Sequence, residues 1–399
     1  MSMYELKQAE PADAAVRRWL AVVVLGIATF TIVATEFAPI GLLSSIASDL
    51  GRSPATIGLT VTAYALIGAG SALLSAVLPN HFPRKPLLIG LMLVLAASNG
   101  LAMIAQSFPT LMLARIVGAL SHGVFWAMVA AIATQIAPPN RMGLATTIVF
   151  GGISIANVLG VPVLNLIGQA WGWRVAFGAL GGLCLFTALL MGALLPKVKA
   201  EGTVGFTALA GVLRSRKLWR VYAVAIFTVA AHFGAFTFIE PYLRNVPGAA
   251  PAAVAALLFG FGAAGLLGNI VTGFLIDRFM KRVIFVSLLL MCVSLAGLGW
   301  FGLSLGLGLV VTLLIVWGAA ISILFIGIQT WVLRVGGAAA IPASAVYTTV
   351  FNSSSGVGAV LGAVILNRAG LSGIMTWAGL IVAVAIFIVV LDRRLDKTL

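Results

Sequence analysis

The chain has 399 residues, of which 61% are apolar and only 9% charged, and it carries a formal net charge of +14. Soluble domains run at about 45–50% apolar and about 25% charged, so this composition excludes a water-soluble globule. The positive charge would fit a nucleic-acid binder only as a basic face on a soluble domain, and none exists, so no nucleic-acid partner is expected.

Apolar stretches of membrane-crossing length recur along the whole chain, each able to span about 30 Å of hydrocarbon. They are continuous instead of alternating, which favours helices that satisfy their own backbone over barrel strands. In chain order, breaks at polar, Gly or Pro clusters place six spans near 19–43, 55–79, 86–105, 109–136, 143–168 and 173–195. Six more follow near 218–243, 251–276, 283–303, 306–333, 342–366 and 371–391. Arg17 and Arg18 precede the first run as in a signal peptide, but the run extends to about Leu43 without a small-residue cleavage site, so it reads as a retained span. The predicted architecture is all-α and integral to the membrane, with an N-terminal half over 1–195, a cytoplasmic linker over 196–217 and a C-terminal half over 218–399. The linker is polar and holds Lys197, Lys199, Arg214, Arg216 and Lys217.

With the N-terminus cytoplasmic, 19 of the 24 basic residues fall on the inner side, Lys7, Arg141, Arg393, Arg394 and Lys397 among them. Only Arg52, Arg174, Arg244 and Arg368 fall outside, and Arg115 lies within a span. The positive-inside rule therefore puts both termini in the cytoplasm, in what is expected to be a bacterial inner membrane, and supports an even number of spans. Cys184 and Cys292 lie inside spans of different halves and read as packing residues, not a disulfide.

The two halves repeat. Gly273-Phe-Leu-Ile-Asp277-Arg278-Phe279-Met-Lys281-Arg282 follows span 8, and an eroded copy, Ala76-Val-Leu-Pro-Asn80-His81-Phe82-Pro-Arg84-Lys85, follows span 2. Thr146-Thr147-Ile148-Val149-Phe150 in span 5 is echoed by Thr348-Thr349-Val350-Phe351 in span 11. The loop after span 8 resembles the GxLxDRxxRR signature of the major facilitator superfamily. Span 5, with Gly152, Gly160 and Pro162, is similar to the Gly-rich, Pro-containing signature of that family's antiporters. Thr35-Glu36-Phe37, Arg115-Ile-Val-Gly118 and Ile239-Glu240-Pro241-Tyr242 together resemble the drug:proton antiporter branch, in particular its sugar efflux and arabinose or chloramphenicol exporters. Asn80 stands where the superfamily loop usually has an acid, and Asn165 where the span-5 signature often has another glycine. The resemblance implies the twelve-helix major facilitator fold, outward movement of solute and gating roles for Gly160, Pro162, Gly273, Asp277, Arg278 and Arg282. Asp277 would clamp neighbouring helix ends.

Ionisable groups inside a span cost roughly 2.5–3.5 kcal/mol on insertion scales and usually face a cavity or a partner. Glu36 lies about 25 Å along span 1 from its inner end, and Arg115 about 9 Å below the outer end of span 4, so their depths nearly agree. The two are expected to share a cavity in which Glu36 is the coupling acid. A carboxyl drawn to its charged form by a cation and to its neutral form by burial can load and release a proton. A permanent structural bridge is the alternative. His122, seven residues past Arg115, would lie on a similar face of span 4 as a proton relay, or simply pack there. Glu240, before Pro241 at the outer end of span 7, is a second candidate acid open to solvent.

Candidate solute-binding residues are the polar and aromatic side chains near mid-span: Tyr64, Phe125, Trp126, Asn157, His232, Phe233, Phe236, Gln329, Phe351 and Asn352. They describe an amphipathic pocket with few fixed charges, suited to neutral or weakly polar compounds, whereas a phosphate site would want more buried cations. Gly260-Phe-Gly262-Ala-Ala-Gly265 matches GxGxxG but lies inside span 8 with no preceding strand, so no nucleotide is implied. Neither GxxxxGK[ST] nor HExxH occurs, and no Cys/His/acid cluster has metal-ligand spacing, so no cofactor and no metal is expected. Nothing supplies a nucleophile and base for an intramembrane enzyme, and short loops leave no soluble domain for a receptor. The reading is a monomeric proton-coupled efflux antiporter for sugars, sugar-like inducers or drugs, partnered by solute, protons and lipid. An uncoupled facilitator or a nucleoside exporter is the alternative.

Overall fold

A computed structural model describes residues 12–77, 82–136, 141–198, 206–304 and 306–391. Lys7, Asn80, His81, Lys199, Arg393, Arg394 and Lys397 lie outside the described residues. Every regular element among the described residues is helical. The first four crossings are α1 (Ala12–Asp49), α2 (Pro54–Val77), α3 (Arg84–Met103) and α4 (Phe108–Ile136). The fifth is composite: α5 (Met142–Ile155), a π-helical turn (Ala156–Gly160) and α6 (Val161–Trp171). Pro162 lacks an N–H for the carbonyl four residues back, so the α-ladder cannot run through this point and widens into the π turn just before it.

The sixth crossing is α7 (Trp173–Leu194), and the linker contains a short helix, α8 (Phe206–Leu213), that the sequence reading did not anticipate. The seventh is α9 (Arg216–Phe236) continued, after a two-residue turn, by α10 (Ile239–Arg244). Three longer elements complete the chain: α11 (Pro251–Phe301), α12 (Leu307–Gly336) and α13 (Ala340–Leu391). At 51 and 52 residues, α11 and α13 are far too long for one crossing. Each is broken where the backbone leaves the helical region, α11 at Phe279 and α13 at Gly370, where φ is 69°. With both divided there, the crossings number twelve, and the breaks fall in the two loops expected at 277–282 and 367–370.

Apolar side chains point outward as well as inward: Phe274 is 81% and Leu189 73% exposed on helices whose other faces are buried. Lipid is the solvent for such a surface. Where helices touch, glycine lets backbones meet. A side chain at Gly152 would collide with the Gly26 carbonyl between crossings 5 and 1, and one at Gly358 with the Ala230 carbonyl between crossings 11 and 7. Likewise Gly123 abuts Gly68 between crossings 4 and 2, and Gly318 abuts Phe261 between crossings 10 and 8. The same contacts thus recur in the two halves of the bundle. The halves meet through a second matched pair: Gly262 of α11 lies against Asn157 and Val158, and Gly356 of α13 lies 2.7 Å, at its virtual Cβ, from Leu66 Cγ of α2.

Candidate solute-binding site

A cavity of about 480 Å³ lies between the halves. Its ends are unequal. Phe150, Thr330 and Tyr347 line it within about 12 Å of the end that carries most of the basic residues. At the other extreme Glu36 and Phe37 stop it roughly 18 Å short of the α1–α2 turn.

The chemistry of the N-terminal wall starts from Pro39, the only proline within α1. Without an N–H, Pro39 leaves the Thr35 carbonyl with no helical donor. Arg115 supplies one: Nη1 donates to Thr35 O and Nη2 to Glu36 O, each at 2.8 Å. The guanidinium sits over the Tyr64 ring at 4.0 Å and is 1% exposed. A desolvated cation–π contact of this kind contributes about 2 kcal/mol. Arg115 and Glu36 are therefore neighbours, but the expectation that Arg115 shares the cavity is corrected, and the contact seen is not the structural bridge to the carboxylate given as the alternative. The two terminal nitrogens of Arg115 donate to main-chain carbonyls behind the wall. The Glu36 side chain, 13% exposed, lines the cavity and faces His122, with Nε2 3.8 Å from Oε2. His122 is also edge-on to Tyr64 and to Trp126. Among the described residues that line the cavity, Glu36 is the only acid and there is no lysine or arginine.

Of the mid-span candidates, Trp126, Asn157, Phe233, Gln329, Phe351 and Asn352 line this cavity. Gln329 Nε2 donates to Ser344 Oγ at 2.9 Å, which ties α12 to α13. Tyr64 and Phe125 do not line it: both are buried, Tyr64 beneath Arg115 and Phe125 in the apolar core of the N-terminal half. An aromatic residue at mid-span can face a neighbouring helix as well as a cavity, and here packing claims both. Ser154, Asn269, Ser322 and Phe325 also line it and were missed. A signal for them exists, since Gly262, Gly265 and Asn269 follow helical spacing, and so do Ser154, Asn157 and Val161.

His232 and Phe236 line a smaller chamber of about 40 Å³ at the closed end of the cavity, not the cavity itself. The His232 ring is stacked on Phe236 and Phe261 and met edge-on by Phe233, Trp317 and Phe325.

Glu240 occupies another place altogether. It was expected near solvent, yet it is 0% exposed, because α10 folds it under the end of α1 opposite the basic end. There its Oε2 accepts from the Ser44 N–H at 2.9 Å and its Oε1 from Arg244 Nε, joining the two halves. Beside this contact Asn165 Nδ2 donates to Gly41 O at 2.7 Å while Asn165 Oδ1 accepts from Gln169 Nε2, so the residue at the motif's glycine position props α6 against α1. Gly160 lies in the π turn with Ala34 in ordinary contact, 3.5 Å from its virtual Cβ, and Pro162 opens α6. At the basic end Arg334 Nη2 donates to Asp277 Oδ1 at 2.7 Å, clamping α12 to the break in α11, while Arg278 and Arg282 lie over the Phe279 ring. A side chain at Gly273 would meet nothing within 4 Å.

A bundle of twelve crossings enclosing an amphipathic cavity between matched halves defines a membrane transporter of small molecules. The sequence profile of the Major Facilitator Superfamily matches residues 25–358, and the chain belongs to that family. Among solved structures it is similar to a bacterial homolog of the human lysosomal transporter Spinster in an inward-facing, occupied conformation. The TM-score is 0.78 at 16% identity, over 98% of both chains. It is also similar to the nucleoside transporter NupG, with TM-score 0.75, 14% identity and coverage of 94% of this chain and 99% of that one. A third is the human organic anion transporter MFSD10, with TM-score 0.68, 16% identity and coverage of 95% and 100%. At these identities the likeness is one of fold.

Proposed function

We propose that the protein is a proton-coupled antiporter of the drug:proton branch that exports small neutral or amphipathic solutes, sugars, sugar-like inducers or drugs among them. The observation that carries this reading is Glu36: one carboxylate, beside His122, on an otherwise uncharged amphipathic cavity wall. Proton and solute then compete for one chamber, and Glu36 holds the proton that solute displaces. Residues 1–195 and 218–399 rock against each other about the Gly262–Asn157 and Gly356–Leu66 contacts, with 196–217 as the connecting strap. The basic end is cytoplasmic, in a bacterial inner membrane, and the protein works as a monomer. A cavity reaching toward that end, with Glu240 and Ser44 closing the other, corresponds to the state that loads solute from inside.

An uncoupled facilitator is the second reading, favoured by the engagement of Arg115 with main chain instead of the carboxylate. The lining amides and aromatic rings also suit a nucleoside. Efflux of radiolabelled sugars, amphenicol drugs and nucleosides from cells with and without the protein, with and without an uncoupler, tests these together. Coupled export requires uncoupler-sensitive efflux of at least one class; uncoupler-insensitive equilibration favours the facilitator.

A further inference from the structure

The chamber beyond the cavity is walled by rings, yet it contains polar atoms with nothing in the protein to bond. His232 is 3% exposed and its Nδ1 has no hydrogen-bond partner, and the buried Oδ1 of Asn269 has none either. Such atoms are normally satisfied, and an aromatic box is a costly place to leave them bare. Asn269 lines both chamber and cavity, as do Ser322 and Asn157, so the two spaces adjoin with only these side chains between them. His232 lines the chamber alone.

Size and donor pattern restrict what enters. A volume of about 40 Å³ holds roughly three water-sized groups, which is enough for a hydroxymethyl group and too little for a ring. Asn269 Oδ1 accepts only, which disfavours a carboxylate or phosphate. A neutral imidazole nitrogen either donates or accepts. A hydroxyl satisfies both at once, donating to Asn269 and completing its bonding with His232. An ammonium could donate to both, but among the described residues no carboxylate lines the chamber to balance its charge, and an aromatic ring does not fit. The larger cavity, with Trp126, Phe325 and Phe351, accommodates the apolar body behind it.

We infer that this chamber is a subsite for the terminal hydroxyl of a transported solute, and that His232 and Asn269 determine specificity there. The inference rests on the reading of the cavity as the solute path, and it narrows the solute to one with a hydroxyl-bearing end and an apolar body. A site with buried polar groups rejects an analogue that leaves them unpaired far more strongly than an apolar pocket rejects a missing methylene.

The test is equilibrium binding by the purified full-length protein, at one pH and without a gradient, so that proton coupling does not enter. The probes are phenyl β-glucoside and its 6-deoxy analogue. The unmodified protein is expected to prefer the hydroxylated probe at least tenfold. His232→Phe and Asn269→Leu should each reduce that preference to near unity by weakening only the hydroxylated probe. His232→Asn, whose amide reaches the Nδ1 position, should restore it and guards against a folding defect in the phenylalanine variant. Equal binding of the two probes, as when the chamber holds water alone, overturns the inference. So does absence of binding by either probe, or a preference unaltered in both apolar variants. Failure of coupling, by contrast, appears only when a pH gradient is imposed on Glu36 variants.

Discussion

Arg115 and Pro39 are complementary: the proline takes a hydrogen-bond donor out of α1, and the arginine, 76 positions later in the chain, puts two back at 2.8 Å. The pair fixes the helical turn that carries Glu36, so the arginine positions the acid through its backbone.

That complementarity predicts non-additive energetics. Arg115→Met leaves the Thr35 carbonyl buried and unpaired, at about 1–3 kcal/mol for such a group, and removes the stacking on Tyr64. Pro39→Ala returns an N–H to the ladder. The double variant should therefore recover about 1 kcal/mol or more relative to the sum of the single changes. Thermal unfolding of the three detergent-solubilised variants measures this, and strict additivity would show that the proline and arginine act separately.

The Glu240–Ser44 contact is the polar bond that must break if the closed end is to open. Glu240→Gln keeps the size of the side chain but removes the charge that holds Arg244. A charge-assisted hydrogen bond such as that from the Ser44 N–H is worth roughly 1.5–3 kcal/mol, of which a neutral amide oxygen keeps only part. The population opened at that end should rise about fivefold or more. Labelling of Leu42→Cys by an impermeant maleimide reads this out, and unchanged labelling would mean the carboxylate is no latch.

Two glycines should behave in opposite ways. Gly262→Ala drives a methyl group into the Asn157 carbonyl and the Val158 backbone, where nothing can yield, at a cost of about 1–3 kcal/mol. Gly273→Ala meets no atom within 4 Å and should change stability by no more than about 0.5 kcal/mol, although Gly273 belongs to the loop signature. A thermal shift that is larger for Gly273→Ala than for Gly262→Ala would reverse the account of the interface.

Asn165→Gly would restore the residue usual at this point of the span-5 signature and delete the bond to Gly41 O. A loss of about 1 kcal/mol is expected, with easier opening of the Glu240 end. Thermal unfolding and the same cysteine-labelling assay test it, and an increase in stability would show the asparagine to be strained instead of supportive.

Much of the fold was legible because the bilayer leaves a chain few options: a crossing must be long, apolar and helical, and polar breaks mark its ends. The turns at 277–282 and at Gly370 were readable for that reason, although helical hydrogen bonding runs through both. What escaped depended on tertiary contact. The π turn before Pro162, the interruption between Phe236 and Ile239 and the linker helix Phe206–Leu213 have no hydropathy signature. In the site, Glu36, His122 and Asn352 were readable since polar groups in lipid need a reason to be there. Tyr64 and Phe125 were misplaced because depth along a helix does not specify which neighbour a ring meets. Ser322 and Asn269 were missed because a small polar side chain in a span can bond its own backbone as readily as line a cavity.

The central claim is that Glu36 carries the proton that drives solute outward. A gradient of one pH unit supplies about 1.4 kcal/mol, enough to hold about a tenfold solute gradient at one proton per solute. In proteoliposomes with such a gradient the unmodified protein should drive its solute uphill to about that ratio. Glu36→Gln should bring solute only to equal concentrations on the two sides while still binding it. Uphill accumulation by Glu36→Gln, within about twofold of the unmodified protein, would contradict the account.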